Sequence, residues 1–448
     1  MTYQTKAIIA GFMGNFVEAY DVAICYYLSS ELSRALMGNA QGDPRVVFIL
    51  IFIAYLLKPL GACALGLWSD RYGRKKVMMS SIIITGLSTA LIGLIPGYDT
   101  IGMVAVVLLL GCRITQSVAI GSEFLNSSSF LVESGRLQQR GFRGCWSSVG
   151  VKVGTIFACL LAEIAHQGTT HVNGIDVTWR IPFLLAAFTM SIGFIIRYRM
   201  PESLGYVLYY ANRPKPTTRM IYQDSFALMK RHPFLFRYAF FASFLSIASS
   251  FFFYLYIPLH AVHVAHVSRE WVTVSTLLSL TLTALLIPIF GWFSDQHDRL
   301  HMLTWSTIGL LVLSYPFMLA VNTGQVTELL IMQLLIAIPC AGYYSVCSVL
   351  LTELFPLHIR CTALSITFSI AASIAAGVPP VLADYLIRQT GSANAPSIII
   401  MTIAGVMLMH INTLRQTYRC GRNEYRSIDE FRTEASSWLE QQQETALR

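Results

Sequence analysis

Long apolar segments dominate this chain and constrain its fold more than any other feature. Twelve of them, each near the ~20 residues that a helix needs to cross a bilayer, are separated by polar loops. Inside a bilayer every backbone polar group must be bonded within the protein, so segments of this length form helices. We therefore predict an all-α membrane protein with twelve transmembrane helices, at residues 7–31, 47–68, 77–95, 101–131, 142–165, 179–199, 238–261, 270–293, 301–321, 325–351, 361–387 and 396–414.

The overall composition agrees with a membrane protein and excludes an ordinary soluble domain. Hydrophobic residues make up 54% of the chain and charged residues only 12%, whereas soluble domains average about 25% charged residues. The net charge of +8 comes largely from arginines and lysines in alternate loops, and an excess of these residues marks the cytoplasmic side. We therefore expect a monomer in the bacterial inner membrane, in contact with lipid and not with nucleic acid, with both termini in the cytoplasm.

Sequence motifs for catalysis and for nucleotide or metal binding are missing. The nine cysteines include no Cys-x-x-Cys pair, which argues against structural zinc or a disulfide framework. No phosphate-binding loop, nucleophile elbow or zinc-protease motif occurs. We expect neither enzymatic activity nor a cofactor. His260, His263 and His266 lie close together at the predicted outer mouth, where interfacial or pH-sensitive histidines are a better interpretation than a metal site.

A charged motif between two apolar runs occurs twice and divides the chain into two halves. The motif occupies residues 66–76 and again residues 291–299, so that Gly66, Ser69, Asp70 and Arg74 recur as Gly291, Ser294, Asp295 and Arg299. An internal repeat of this kind indicates two related helical bundles. We predict an N-terminal six-helix bundle at 1–199, a cytoplasmic linker at 200–237, a C-terminal six-helix bundle at 238–415 and a cytoplasmic tail at 416–448 that contains a surface helix.

Charged residues at the predicted cytoplasmic helix ends follow a second repeated pattern. Glu133 precedes Arg140 by seven residues, and Glu353 precedes Arg360 by seven residues. These residues suit ion pairs that form when the cytoplasmic side is shut, and a carboxylate such as Asp70 is favoured beside the N–H groups of a helix end. We assign the gate to Asp70, Arg71, Arg74, Glu133, Arg140, Asp295, Arg299, Glu353 and Arg360.

Five ionisable residues of the first half fall near the middle of the bilayer. At a rise of ~1.5 Å per residue, Glu18, Asp21, Lys58, Arg113 and Lys152 lie roughly 15–21 Å from a membrane edge. Each costs ~2.5–3.5 kcal/mol to insert, which makes such residues functional candidates. We therefore predict a water-filled cavity around them, with Asp21, Arg113 and Glu18 coupled to protons.

The second half supplies aromatic and hydroxyl groups at this depth and almost no charge. We assign substrate binding to Lys152, Arg113, Gln116, Asn15, Lys58, Tyr254, Tyr256, Tyr343 and Tyr344. Two alternatives stay open at this point. First, two ion pairs, Asp21 with Arg113 and Lys152 with Glu18, could serve only to fix helix packing. Second, any single tyrosine could be an ordinary core residue.

Several motifs together resemble the major facilitator superfamily, and within it the metabolite:proton symporter branch. They are the two charged motifs, the Gly-Asn-Phe-Val-Glu-Ala-Tyr-Asp stretch at 14–21, Lys58-Pro59-Leu60-Gly61, Ser122-Glu123-Phe124, Arg140-Gly141-Phe142-Arg143-Gly144-Cys145-Trp146, Trp179-Arg180-Ile181-Pro182-Phe183, and Glu353-Leu354-Phe355-Pro356-Leu357-His358-Ile359-Arg360. The resemblance covers the whole chain.

This resemblance implies an importer that moves a solute such as proline, betaine, citrate, 2-oxoglutarate or shikimate together with a proton. In the related sugar porters an acidic residue of the first span exchanges its proton against an arginine of the fourth, and Asp21 and Arg113 occupy those places. The chain departs from the branch at Ala19, Lys58 and Lys152, where tryptophan, arginine and a small or apolar residue are usual. Cys145 replaces serine, and the second charged motif lacks Gly-Arg-Arg. The substrate of any one relative therefore cannot be transferred.

From these observations we predict a proton-coupled symporter that imports a small organic acid by alternating access. The organic acid is favoured because the buried ammonium of Lys152 gains most from an anion. Three alternatives stay open: a symporter for a zwitterionic osmolyte such as proline or betaine, a carrier for drugs or siderophores, and a non-transporting membrane sensor that signals through the tail.

Overall fold

Helices make up most of the structure, a computed structural model that describes residues 3–38, 42–134, 137–167, 171–172, 175–176, 178–211 and 213–419. Eleven helical segments in these ranges are long and apolar enough to cross a membrane. A further helix, Ser397–Arg419, has a shorter apolar part, Ser397–Thr413. These segments agree in number and order with the twelve predicted from the sequence.

The twelve spans are numbered in chain order and divide evenly between two halves. The first half contains span 1 (Thr5–Tyr27), span 2 (Arg45–Tyr72), span 3 (Arg74–Leu94), span 4 (Met103–Glu133), span 5 (Arg140–Gln167) and span 6 (Arg180–Tyr198). The second half contains span 7 (Pro233–His263), span 8 (Arg269–Gln296), span 9 (Arg299–Asn322), span 10 (Val326–Leu354), span 11 (Arg360–Thr390) and span 12 (Ser397–Arg419). Several spans exceed the predicted apolar runs because tilted helices and protruding ends accommodate the extra residues.

Four spans are interrupted and consist of consecutive helical segments. Their bounds are Pro44–Tyr55 and Lys58–Tyr72 in span 2, Met103–Ala119 and Glu123–Glu133 in span 4, Arg140–Gly144 and Trp146–Gln167 in span 5, and Pro233–Phe251, the π-helical Phe252–Tyr256 and Ile257–His263 in span 7. In span 2 the break precedes Pro59, which has no backbone N–H to continue the helical ladder. Irregular backbone at membrane depth is tolerated where it is buried in protein or lines a cavity.

Short elements connect the spans. They are the helices Ser29–Met37, Tyr98–Ile101, Leu204–Tyr209 and Thr218–Arg231, the 3-10 turn Leu137–Gln139, and two antiparallel strands, His171–Val172 and Ile175–Asp176. Two of these helices lie within the predicted linker, 200–237. The surface helix predicted for the tail lies outside the described residues from residue 420 onward.

Two glycines of span 5 determine which side of that span faces the second half. A Cβ atom at Gly150 or Gly154 would collide with the backbone carbonyl of Phe12 or Phe16 in span 1, so these glycines allow the two helices to pack closely. Lys152 lies between them in sequence, about 200° around the helix from each at 3.6 residues per turn. Its side chain therefore points away from span 1 and toward the second half.

The two charged motifs lie on one face of the molecule, which we call the hinge face. There the C-terminal ends of spans 2, 4, 8 and 10 meet the N-terminal ends of spans 3, 5, 9 and 11. The C-terminal ends of spans 1, 5 and 7 lie on the other side, which we call the opposite face. The functional cavity lies between these two faces.

Candidate functional site

A central cavity of about 130 Å³ lies between the two halves. At about 10–15 Å³ per water, it has room for roughly ten waters or a small metabolite. Spans 1, 2, 4 and 5 line it from the first half, and spans 7, 10 and 11 from the second. Its charged lining residues are Glu18, Lys58 and Lys152, all from the first half, whereas the second half contributes aromatic, hydroxyl and aliphatic side chains.

Lys152 is buried at the boundary between the halves and contacts the second half. Its Nζ donates to the Ser250 hydroxyl at 2.7 Å and lies 4.0 Å from the ring centre of Tyr344 and 4.6 Å from that of Tyr254. Ser249 and Thr283 fix the two tyrosines through hydrogen bonds to their hydroxyl groups. Lys152 forms no ion pair within 4 Å among the described residues. The alternative pair of Lys152 with Glu18 is wrong, because the span 5 glycines place Lys152 on the other side of its helix.

Glu18 instead faces Lys58, which begins the second helical segment of span 2. Their Nζ and Oε1 atoms are 3.8 Å apart. The Lys58 ammonium also lies 5.2 Å from the ring centre of Tyr55 and 5.8 Å from that of Phe368. This cation–π geometry stabilises a buried ammonium. Glu18 therefore has a counter-ion, but not the one that the sequence suggested.

Asp21 and Arg113 line a separate, narrower pocket of about 10 Å³ that also borders Glu18. Both side chains are buried, yet no contact within 4 Å joins their charged groups in the described part of the chain. Arg113 Nη1 donates to the Gln116 side chain at 2.7 Å, while both Asp21 oxygens lack a hydrogen-bond partner there. Asp21, Arg113 and Gln116 thus line one pocket, but in this conformation the expected Asp21–Arg113 ion pair is open.

Three predicted site residues lie outside both cavities. Asn15 donates to the carbonyl of Gly11 in its own helix at 2.8 Å, and the Tyr343 hydroxyl donates to a span 7 carbonyl. Tyr256 faces His260, whose Nε2 is 2.9 Å from the side chain of Asn322. None of the three side chains lines either cavity, so the assignment of substrate binding to them is not supported by their position.

Sequence reasoning missed several residues that the fold places at or near the cavity. Tyr55, Ser250, Phe251 and Phe368 line it, but no charge marks them in the sequence. Arg197, at the end of span 6, is fully buried and pairs with Glu123 of span 4. Its position at the end of an apolar run is typical of an ordinary loop cation. A buried partner two spans away can only be found from the fold.

The first charged motif connects the halves at the hinge face. Asp70 accepts hydrogen bonds from the backbone N–H groups of Cys361 and Thr362 at 3.2 and 2.8 Å, and from the Thr362 hydroxyl at 2.7 Å. These N–H groups belong to the first turn of span 11, where a helix favours a negative charge. Arg74 lies 3.2 Å from the same carboxylate. This motif therefore caps a helix of the other half.

The second motif repeats this arrangement with the halves interchanged. Asp295 accepts hydrogen bonds from the backbone N–H groups of Gly141 and Phe142, at 2.6 and 2.9 Å, in the first turn of span 5. Arg299 lies 3.0 Å from Asp295. The internal repeat of the sequence is therefore visible as two equivalent junctions at the hinge face.

Two glutamates complete these junctions. Glu133 pairs with Arg74 of its own half at 3.2 Å and with Arg360 of the other half at 3.0 Å. Glu353 likewise pairs with Arg299 of its own half and, at 3.8 Å, with Arg140 of the other half. The glutamates therefore pair across the halves and not with the arginine that follows them by seven residues.

Arg71 differs from the other residues assigned to the gate. Its guanidinium donates to the Thr218 hydroxyl in the linker region at 2.8 Å and lies near the Tyr72 ring. Arg71 is partly exposed and has no contact of this kind with the second half among the described residues. Arg71 therefore attaches the linker region to span 2 and is not part of the gate.

Contacts also join the halves at the opposite face. The Tyr27 hydroxyl donates to the Tyr254 carbonyl at 2.8 Å, and the Phe251 ring packs edge-on against Tyr26 and Tyr55. Farther out, Thr273 of span 8 donates to Glu163 of span 5 at 3.1 Å. The cavity is therefore bounded on both sides, as in the occluded state of an alternating-access cycle.

A small polar cluster lies beside this closure. His166 Nδ1 is 2.9 Å from a carboxylate oxygen of Glu31, and its other ring nitrogen faces Arg269. Burial alone would raise the pKa of the Glu31 carboxyl, but the hydrogen bond and charge of His166 and the nearby Arg269 hold that pKa below its usual value. No group of three or more possible metal ligands occurs among the described residues.

Two family descriptions match the chain and together cover both halves. Residues 6–227 match the family described as "Sugar (and other) transporter", and residues 239–419 match "Major Facilitator Superfamily". Both descriptions are of transporters and not of enzymes, as the sequence predicted.

Curated relatives align over most of the chain. The proline/betaine transporter of Escherichia coli (strain K12) is 28% identical over 420 residues, which cover 92% of this chain and 83% of the relative. The ectoine/proline transporter of Corynebacterium glutamicum is 28% identical over 427 residues, with 92% and 84% covered.

Solved structures share the fold at low sequence identity. The proton:xylose symporter XylE bound to 6-bromo-6-deoxy-D-glucose superimposes with a TM-score of 0.75 at 14% identity, covering 92% of this chain and 95% of that one. The human organic anion transporter gives a TM-score of 0.64 at 15% identity, with 92% and 99% covered. These similarities confirm the predicted arrangement of two six-helix bundles. This multi-pass membrane protein belongs to the major facilitator superfamily of transporters.

Proposed function

We propose that this protein is a proton-coupled symporter that imports a small carboxylate across the bacterial inner membrane, with the hinge face toward the cytoplasm. One observation carries the proposal. Among the residues that the structure describes, the central cavity is lined by two buried ammonium groups, Lys58 and Lys152, and by a single carboxylate, Glu18. An uncompensated buried charge is costly, so a cavity with an excess positive charge favours an anion.

The aromatic side chains of the cavity support an anion over a quaternary ammonium compound. A cationic solute is usually held against aromatic faces. Here Lys152 lies over the rings of Tyr254 and Tyr344, and Lys58 lies near those of Tyr55 and Phe368. The lysines of the protein thus occupy the positions that such a cation needs.

Asp21 and Arg113 supply the proton coupling in this proposal. An ionised carboxylate that is buried without a partner is costly, so the open arrangement of Asp21 and Arg113 fits a protonated Asp21. When the hinge face opens, Asp21 loses its proton to the cytoplasm and pairs with Arg113. The pair neutralises Arg113, and the empty carrier returns.

Replacing Lys152 with methionine tests the assignment of the substrate class. Methionine keeps much of the side-chain volume but removes the ammonium, and a hydrogen bond to a charged group contributes about 1.5–3 kcal/mol. We therefore expect the half-saturating concentration of the transported carboxylate to rise about 10- to 150-fold in proteoliposomes.

The matched control for this variant is Lys215→Met. Lys215 is an exposed lysine of the linker region, and its replacement should leave the half-saturating concentration unchanged. An unchanged value for Lys152→Met would remove Lys152 from the binding site.

A zwitterionic osmolyte is the second candidate, because the curated relatives are named as proline/betaine and ectoine/proline transporters. Proline would offer a carboxylate to Lys152 and an amine to Glu18. A thermal-shift screen with lactate, succinate, proline and betaine on the purified protein distinguishes the two candidates, since a ligand of the native state raises the melting temperature. Stabilisation by proline or betaine alone would favour the osmolyte.

A further inference from the structure

The pair of Glu18 and Lys58 has a position that the proposed function does not yet explain. Glu18 borders both the central cavity and the narrow pocket of Asp21 and Arg113. Lys58 borders the central cavity, where it begins a helical segment after a break in span 2. Half-helices that start at the membrane midplane present their positive end to anionic substrate groups. Lys58 therefore adds an ammonium to a position that already favours an anion.

The contact between Glu18 and Lys58 is weak for a buried ion pair. Its 3.8 Å separation is longer than the 2.7–2.9 Å of a charge-assisted hydrogen bond. The second oxygen, Glu18 Oε2, is buried without a hydrogen-bond partner among the described residues. An ammonium has three donors, and Lys58 otherwise contacts only ring faces in the same part of the chain. Both groups therefore retain unused hydrogen-bonding capacity toward the cavity.

Charged groups surround Glu18 on every side that faces the first half. Asp21 lies about one turn away on the same helix, and Lys58 lies on span 2. Span 4 contributes Arg113 and also Glu123, which is paired with Arg197. Span 5 contributes Lys152. The facing spans of the second half contribute no charged side chain to the described lining of the cavity. Any change in the ionisation of Glu18 is therefore compensated within the first half or by the substrate.

The charge balance limits how many carboxylates the cavities accept. In the central cavity two cations, Lys58 and Lys152, stand against one carboxylate, Glu18, among the described residues. Lys152, which has no ion-pair partner in the described part of the chain, accommodates one substrate carboxylate. A second substrate carboxylate beside Lys58 would compete with ionised Glu18 for the same ammonium. The second substrate carboxylate would also repel ionised Glu18, and a like charge nearby disfavours the ionised form of a carboxyl group.

We infer that Glu18 and Lys58 form a second carboxylate subsite with its own proton, so that the substrate is a small dicarboxylate. This inference rests on the proposed function. One substrate carboxylate binds Lys152, and the other takes Lys58 from Glu18. A proton from water at the open face then forms an O–H bond on Glu18. The O–H bond that breaks belongs to a hydronium ion, which leaves as water, and the substrate's second negative charge is balanced by the proton on Glu18.

The experiment counts the protons that accompany binding. Purified protein is titrated calorimetrically with lactate and with succinate, each in two buffers of different ionisation enthalpy, and the buffer dependence of the heat gives the protons taken up. Succinate binding to the wild type should take up about one proton more than lactate binding. In Glu18→Gln this difference should disappear, while lactate binding keeps its own proton count. Glu270→Gln, at an exposed position, should preserve the difference.

A second variant keeps the inference falsifiable if Glu18→Gln folds poorly. In Lys58→Gln succinate has no second ammonium to bind, so its affinity and its proton count should approach those of lactate. Three results overturn the inference. The inference is overturned, but the proposed function is not, if Glu18→Gln retains the succinate-specific proton. The same holds if the wild type binds lactate but excludes succinate. A wild type that binds neither carboxylate overturns the proposed function as well.

Discussion

Asp21→Asn should abolish uptake driven by a pH gradient and leave counterflow exchange intact. Asparagine has the shape of a protonated aspartate, so the loaded carrier can still cross between its two conformations. The empty carrier cannot return, because Arg113, which lines the same pocket, would cross without an ionised partner. In proteoliposomes we therefore expect gradient-driven accumulation at the level found without a gradient, together with exchange of labelled for unlabelled substrate.

An exposed aspartate provides the control for this experiment. Asp99 lies at the surface of the short helix Tyr98–Ile101, and Asp99→Asn should accumulate substrate like the wild type. Accumulation that survives in Asp21→Asn would assign the essential proton to another carboxylate, of which Glu18 is the nearest in the cavity. Loss of both accumulation and exchange would show that Asp21 holds the substrate or the fold rather than the proton.

The helical architecture was predictable because it depends on properties that the sequence states directly. The length of each apolar run determines whether it crosses the bilayer, and the repeat of the charged motif at 66–76 and 291–299 identifies two related halves. Breaks within spans were harder to predict. The π-helical segment Phe252–Tyr256 has no proline within it that would reveal it.

The pairing of charges inside the membrane was predictable only in part. Depth along each span shows which residues share a layer, and this brought Glu18, Asp21 and Arg113 together. The partner of each residue also depends on how each helix is rotated about its axis. The two span 5 glycines that face span 1 turn Lys152 away from Glu18. Lys58 then becomes the counter-ion of Glu18.

Apart from Arg71, the residues at the junctions of the hinge face were predictable, but their connections were not. Glu133 and Arg140, seven residues apart, suggest a local pair, as do Glu353 and Arg360. In the structure each glutamate pairs with the arginine of the other half. Local pairs would remain in every conformation, whereas these crossed pairs exist only while the hinge face is closed. The crossing is what allows these residues to stabilise one state over the other.

Glu133→Gln should shift the carrier toward the conformation that is open at the hinge face. Glu133 is buried and contacts Arg360 across the halves at 3.0 Å, and a charged hydrogen bond contributes about 1.5–3 kcal/mol. Because that contact is absent once the halves separate, the open population should rise about 10- to 150-fold. Cys361, buried beside Asp70 in the closed junction, reports this change through its rate of maleimide labelling when the other cysteines are replaced by serine.

The second junction gives this prediction a quantitative check. Glu353→Gln should also increase the labelling rate of Cys361, but by a smaller factor, since the contact of Glu353 with Arg140 across the halves is 3.8 Å long, against 3.0 Å for Glu133 with Arg360. The ion pairs of Glu133 and those of Glu353 involve different arginines, so their free-energy effects should add in the double variant. Glu270→Gln should leave the labelling rate unchanged. A labelling rate in Glu133→Gln equal to that of the wild type would mean that the backbone hydrogen bonds of Asp70 and Asp295 hold the hinge face closed without the glutamates.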